Sequence, residues 1–219
     1  MKGSCFCGSI AFEISGEIPD LYQCHCSECR KTTGAAANAA ATLVTVAKGG
    51  PFASHIPLLL EAGEPPRLVG HLAKANPQWQ HFATNSRVMA IFHGAHAYVS
   101  PTWYEKPGVP TWNYAAVHVY GRVNLIHDPA TLRAQINRMS RHFEGEGEKA
   151  WIPAYPDKML DMIVGFVMEV EEVQAKYKLS QNRSQVDRQN VISVLQESSA
   201  ESGQDVASLM RRTLPGNAG

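Results

Sequence analysis

No cysteine occurs after residue 29: the chain has 219 residues, and all five of its cysteines lie between Cys5 and Cys29. A disulfide framework for the body is thereby excluded, and an odd number of thiols without an export signal argues against one at the front. Long apolar runs are also missing, since stretches such as residues 56–60 and 89–92 fall far short of the roughly 20 residues a bilayer span needs. The opening MKGSCFCGSI has no apolar core, so no secretory leader or membrane association is expected and the cytoplasm is the expected location. Net charge is absent as well: 20 Lys and Arg balance 20 Asp and Glu, which removes any overall attraction to nucleic acid. DNA contact would need a local patch, and neither a helix-turn-helix pattern nor more than the short Arg211-Arg212 pair is there to supply one.

What is present is globular composition, 44% hydrophobic and 18% charged, enough for one large domain or one domain with an appendage. A small-residue stretch at 34–41, readable as a linker or a helix turn, divides the chain near residue 40. Beyond it, β-branched and alternating patterns predict strands at 41–47, 51–61, 67–72, 87–93, 95–100, 114–126 and 164–179, with Gly49-Gly50 turning the first pair. Asn76 before Pro77 and Asp128 before Pro129 predict helix starts. The second helix carries Leu132, Ile136, Met139 and Phe143 at helical spacing and stops at Gly145. Ser184 with Asp187 predicts a cap for a helix bearing Val191, Val194 and Leu195; a short helix is expected at 206–210 after a polar, mobile connection at 198–203. Many strands and few helices predict a mainly β (α+β) fold, a six-stranded antiparallel barrel with peripheral helices.

Clustered thiols need a local cause. Cys5-Phe-Cys7 and Cys24-His-Cys26-Ser-Glu-Cys29 include C-x-x-C spacing, which lets two thiolates approach one tetrahedral zinc from a tight turn; buried inert thiols are the alternative. At most one zinc per chain is expected, held by Cys24, Cys26 and Cys29 with Cys5 or Cys7 as fourth ligand. His71, His81, His93, His96 and His118 are further imidazoles, but none stands in a ligand motif. The segments GSCFCGSIAFEI and CHCSECRKTTGAAA resemble the opening of the glutathione-dependent formaldehyde-activating (GFA) family, related to centromere protein V, over about residues 3–38. That resemblance implies a zinc-dependent carbon–sulfur lyase as one functional alternative. A later cysteine pair, which that family uses to complete its structural zinc, is missing here. Residues 1–40 are accordingly read as an incomplete cysteine-rich segment.

From residue 41 to about 215 the chain resembles the PaiB family of FMN-binding regulators, through ATLVT, ASHIPLLLE, GHLAKANPQW, IFHGAHAYVSPTWY, VPTWNYAAVHVYG, MIVGF and KLSQNR. The resemblance implies a split barrel similar to pyridoxamine-phosphate-oxidase-type flavoproteins, commonly a homodimer, with FMN near the subunit interface. It also implies a negative transcriptional regulator or flavin sensor, with a flavin-dependent oxidoreductase as the alternative.

FMN brings a dianionic phosphate and a flat amphipathic ring, so its site needs cations, donors and apolar walls. His71, Lys74 and Asn76 in GHLAKANPQW are the preferred phosphate corner, against a plain solvated lysine and a plain helix cap. Trp103, Tyr104, Trp112 and Tyr114 offer a rigid wall, or alternatively cover a barrel mouth or a dimer seam, with Asn113 the best polar residue among them. Lys178, Ser180, Gln181, Asn182 and Arg183 offer charge and donors just after a strand, or form an exposed turn. Ser54 and His55 interrupt an apolar strand and are expected to face the site or an interface.

Overall fold

The computed structural model of the protein describes residues 2–4, 11–13, 40–145, 151 and 153–214. Among the described residues nine strands run in chain order: β1 (Lys2–Ser4), β2 (Ala11–Glu13), β3 (Ala40–Ala47), β4 (Gly50–Pro57), β5 (Leu59–Glu61), β6 (Arg67–Ala73), β7 (Arg87–Val99), β8 (Thr111–Ile126) and β9 (Ile163–Lys178). Helices are α1 (Gln78–Thr84), α2 (Pro129–Glu144), α3 (Gln185–Gln196) and α4 (Glu201–Arg212). β1 and β2 pair with each other; the rest form one seven-stranded sheet in the order β4-β3-β7-β8-β9-β6-β5. Period-two burial explains the strands: Ala41, Leu43 and Thr45 point inward on β3, and Phe166, Met168 and Val170 on β9, while Glu169 and Glu171 face out.

β4 and β6 lie against each other, and Asn76, in the connection that follows β6, donates to Ser54 on β4, yet among the described residues no backbone ladder joins the two strands. The expected six-stranded barrel is therefore a seven-stranded antiparallel sheet that hydrogen bonding does not close. The extra strand arises at Pro57, the last residue of β4 to pair with β3; Leu58 then turns into the core before β5 begins, so the run expected at 51–61 is two strands. Conversely, the strands expected at 87–93 and 95–100 are one. Gly94 does not break β7 but allows close approach, because a Cβ there would lie 3.1 Å from that of Ala115 on β8. The polar connection expected at 198–203 is partly helical as well: α4 starts at Glu201 and buries Gly203, Val206, Ala207 and Met210 on one face.

Two compact units divide the described chain. The first takes residues 2–4, 11–13, 40–92, 118–145, 151 and 153–174; the second takes 93–117 and 175–214. In the first, Phe82 of α1 packs on Phe166 at 5.5 Å between ring centroids, and α2 buries Leu132, Gln135 and Met139. The Asp128 carboxylate caps α2 by accepting from Thr131 N at 2.8 Å, and Gly145 ends it at φ 76°, as the sequence leads one to expect. In the second unit, Val191, Ile192 and Leu195 of α3 meet Val206, Ala207 and Met210 of α4 over Val99, Tyr104 and Leu179. Ser184 Oγ accepts from Asp187 N at 3.1 Å and starts α3 where expected. Among the described residues no helix is long and apolar enough to cross a membrane.

Candidate functional site

The residues expected to hold the flavin fall into two groups, one in each unit. Ser54, His55, His71, Lys74 and Asn76 belong to the first. Asn76 donates through Nδ2 to Ser54 Oγ at 2.9 Å, and its Oδ1 accepts from Gln78 N at 3.0 Å. One side chain thus ties β4 to the start of α1. Asn76 thereby occupies the first amide of this seven-residue helix, and Gln80 N donates to Pro77 O at 3.0 Å. Lys74 is exposed and its ammonium has no hydrogen bond or ion pair among the described residues, although its backbone is fixed at both ends: N donates to Met162 O at 2.7 Å and O accepts from Trp79 Nε1 at 3.0 Å. Ser54 accepts from Asn76 and keeps its own hydroxyl hydrogen to give. His55 is exposed, with Nδ1 3.0 Å from Thr42 Oγ1.

Gln78, which sequence reasoning missed, is the anchor of this group. It is fully buried, and its Nε2 donates to Leu43 O at 2.8 Å while also reaching Thr45 Oγ1 and Phe52 O at 3.3 Å, which docks α1 on the β3–β4 hairpin. A glutamine just after a Pro looks like any exposed helix residue; nothing local marks its burial.

His71 sits on β6 opposite Gly165, and its Nδ1 is buried without a partner among the described residues. Burial lowers its pKa from the ordinary 6.5, so the folded protein holds the imidazole neutral. The unfolded chain then binds more protons below about pH 6.5, and stability is complete above that value and declines as pH falls toward the lowered folded pKa. Urea unfolding of wild type between about pH 7 and pH 5 is expected to show a steeper loss of stability than His71→Asn. Parallel pH profiles would show that His71 carries no such linkage.

The second group is Trp112, Asn113, Lys178, Ser180, Gln181 and Arg183. Asn113 is fully buried; its Oδ1 accepts from Ser180 Oγ at 3.1 Å and its Nδ2 lies 3.3 Å from the Met210 sulfur. Ser180 has φ 59°, and its carbonyl accepts from Arg183 N at 3.0 Å, closing a turn. Gln181 stitches the same turn, accepting from Leu179 N at 2.7 Å and donating to Tyr177 O at 2.6 Å. Lys178 Nζ donates to Thr111 Oγ1 and Trp112 O. The Arg183 guanidinium lies 4.1 Å from the centroid of the Tyr104 ring, against Gly108. Within KLSQNR, the polar groups of Lys178, Ser180 and Gln181 build the β9–α3 corner. Tyr104 is buried, whereas Trp112 is exposed and stands beside Tyr98 and His96. Trp103 and Tyr114 are half-buried.

Cys5, Cys7, Cys24, Cys26 and Cys29 lie outside the described residues. Among the described residues no group of three or more His, Cys, Asp or Glu is placed to hold a metal ion.

Residues 27–172 match the family model described as "Putative FMN-binding domain". The chain belongs to that family. Its curated relatives include "Protease synthase and sporulation protein PAI 2" of Bacillus subtilis (strain 168), 37% identical over 183 residues that cover 81% of this chain and 88% of the relative. An uncharacterized protein of Aspergillus fumigatus is 31% identical, over 72% of this chain and 81% of its own. Among solved structures, the flavocytochrome Anf3 from Azotobacter vinelandii superposes with a TM-score of 0.52 at 14% identity, covering 68% of this chain and 65% of that one, a likeness of fold alone. Residues 1–48 separately match the model for the glutathione-dependent formaldehyde-activating enzyme, so the two family matches overlap over residues 27–48. Both resemblances read from the sequence are borne out.

Proposed function

We propose that this member of the FMN-binding domain family holds FMN as a resident cofactor and serves as a flavin-responsive regulator. The family match over residues 27–172 carries the reading. The first unit supplies chemistry that fits the phosphate: an exposed lysine whose ammonium has no partner among the described residues, and a serine hydroxyl with its hydrogen available. In this reading Lys74 neutralises phosphate charge and Ser54 donates to a phosphate oxygen with its position fixed by Asn76, while His55, next to Ser54 on the strand, faces the other side of the sheet. When bound, the flavin supplies one- or two-electron redox chemistry, and the protein orients it. A relative named "Protease synthase and sporulation protein PAI 2" ties the family to sporulation, a regulated programme, and this supports the regulatory reading. Zero net charge favours a small ligand or a protein partner over DNA as the output. The proposal includes a homodimer and, at the N-terminal cysteines, at most one zinc per chain.

Titration of the purified protein with FMN, followed by flavin fluorescence, is expected to saturate and to raise the melting temperature. Riboflavin, which lacks the phosphate, should bind far more weakly. Lys74→Ala is expected to weaken FMN by about tenfold or more, the loss of one charge-assisted contact, and to leave riboflavin binding unchanged. The exposed His127→Ala serves as control. Absence of saturable FMN binding would overturn the cofactor; equal effects of the two variants would overturn the phosphate site alone.

A further inference from the structure

We infer that Met162, the residue before β9, is a modification site for hydrogen peroxide, and that its sulfoxide captures the Lys74 ammonium. The oxidation and the capture stand on their own; a consequence for FMN rests on the phosphate role given to Lys74.

Exposure selects the methionine. Met162 is 68% exposed and Met159 55%, whereas Met139, Met168 and Met210 are buried. The two exposed residues stand three apart in the 3₁₀ helix Asp157–Met162, a spacing that puts them on one face. A thioether held in water is open to peroxide, and one packed in a core is not.

Strand register couples one of the two to a lysine. Ala73, the last residue of β6, lies opposite Ile163, the first of β9. One step further out, Lys74 N donates to Met162 O at 2.7 Å, so the pairing continues and Lys74 faces Met162 across it. Opposite residues of an antiparallel pair send their side chains to one side of the sheet from Cβ atoms about 5 Å apart. Both side chains here are exposed, unbranched and long enough to meet over that distance. The thioether sulfur is a weak acceptor and leaves the Lys74 ammonium without a partner among the described residues; a sulfoxide oxygen is polar and accepts. Met159 lies three residues outside this pairing and is the internal comparison.

In the reaction the Met162 sulfur attacks one peroxide oxygen, an S–O bond forms and the O–O bond breaks. Sulfur is oxidised by two electrons, and the peroxide is reduced to one water, which carries away the second oxygen and both hydrogens. The new oxygen then accepts from Lys74 Nζ and competes with a phosphate oxygen for it.

The test treats the full-length, flavin-free protein with hydrogen peroxide and maps sulfoxides by peptide mass spectrometry. Met162 and Met159 are expected to oxidise well before Met139, Met168 and Met210. Acetylation of Lys74 by an N-hydroxysuccinimide ester should then slow severalfold relative to Lys106 and Lys158, because a hydrogen-bonded ammonium gives up its proton less readily. The dissociation constant for FMN should rise about fivefold, as the loss of part of one charge-assisted contact requires, with riboflavin binding unchanged. Met162→Leu should abolish both changes and Met159→Leu neither, and methionine sulfoxide reductases acting on both epimers should reverse them. Oxidation of the buried methionines ahead of Met162 would overturn the modification site. Unchanged Lys74 acetylation with Met162 fully oxidised would overturn the capture, whether or not FMN binds. Slowed acetylation with an unaltered FMN affinity would uphold the capture and overturn the phosphate role of Lys74 instead.

Discussion

Gly121→Ala is expected to cost about 4 kcal/mol or more and to leave little folded protein, because no side chain fits where β8 crosses β9. A Cβ built on Gly121 overlaps the Glu169 carbonyl oxygen and lies 2.9 Å from its carbon, with the Met168 methyl at 3.1 Å. Two of these three atoms are backbone, so relief requires the strands to separate rather than a rotamer to change. Strand separation here would disturb the buried row of Phe166, Met168 and Val170 on β9. Gly49→Ala is the matched control: a Cβ there meets nothing within 4 Å, and a change within about 0.5 kcal/mol is expected. Urea unfolding of the two variants beside wild type decides the matter. A Gly121→Ala variant as stable as wild type would mean that β8 and β9 do not approach as described.

Arg188→Ala is expected to destabilise the second unit by about 3 kcal/mol, more than a lost surface charge could explain. Arg188 is buried on α3, and its Nη2 donates to Met210 O at 3.3 Å, Thr213 O at 3.0 Å and Thr213 Oγ1 at 2.6 Å. The last turn of α4 has carbonyls without partners within the helix and carries the negative end of the dipole, so a buried guanidinium serves it as a cap from another element. Arg188→Met, which keeps the apolar stem, should recover part of the packing and none of the capping. Hydrogen exchange checks the location as well as the size: amides of α3 and α4 should lose protection in both variants. Unchanged exchange in α4 would show that the contact caps nothing.

Features whose cause is local were legible in the sequence. The caps at Asp128 and Ser184, the glycine stop after α2, and the strand pattern of β3 depend on residues within a turn or two, and each forms as expected. Pro57 and Gly94 were misread because each has two local meanings, and only the neighbouring strand decides between a break and a close approach. The site was less legible still. Asn113, Gln181 and Lys178 have the polar groups that a ligand would want, and those groups bond the chain's own backbone and side chains. A polar residue looks the same in sequence whether it waits for a ligand or holds a corner. Lys74 and Ser54 keep unfilled capacity, and that difference emerged only once Asn76 and Gln78 had been traced to their partners.

Ser180 shows how narrow the choice of amino acid can be at such a corner. Its φ of 59° favours glycine, asparagine or aspartate, while the hydrogen bond to the buried Asn113 requires a hydroxyl or another donor. Glycine would meet the first demand and leave Asn113 Oδ1 without a donor; threonine would meet the second with a branch at Cβ that a left-handed backbone resists. Serine is the compromise that serves both. Positions 113 and 180 should therefore drift together in descendants of this chain, glycine becoming acceptable at 180 only after the buried amide at 113 has given way to an apolar side chain.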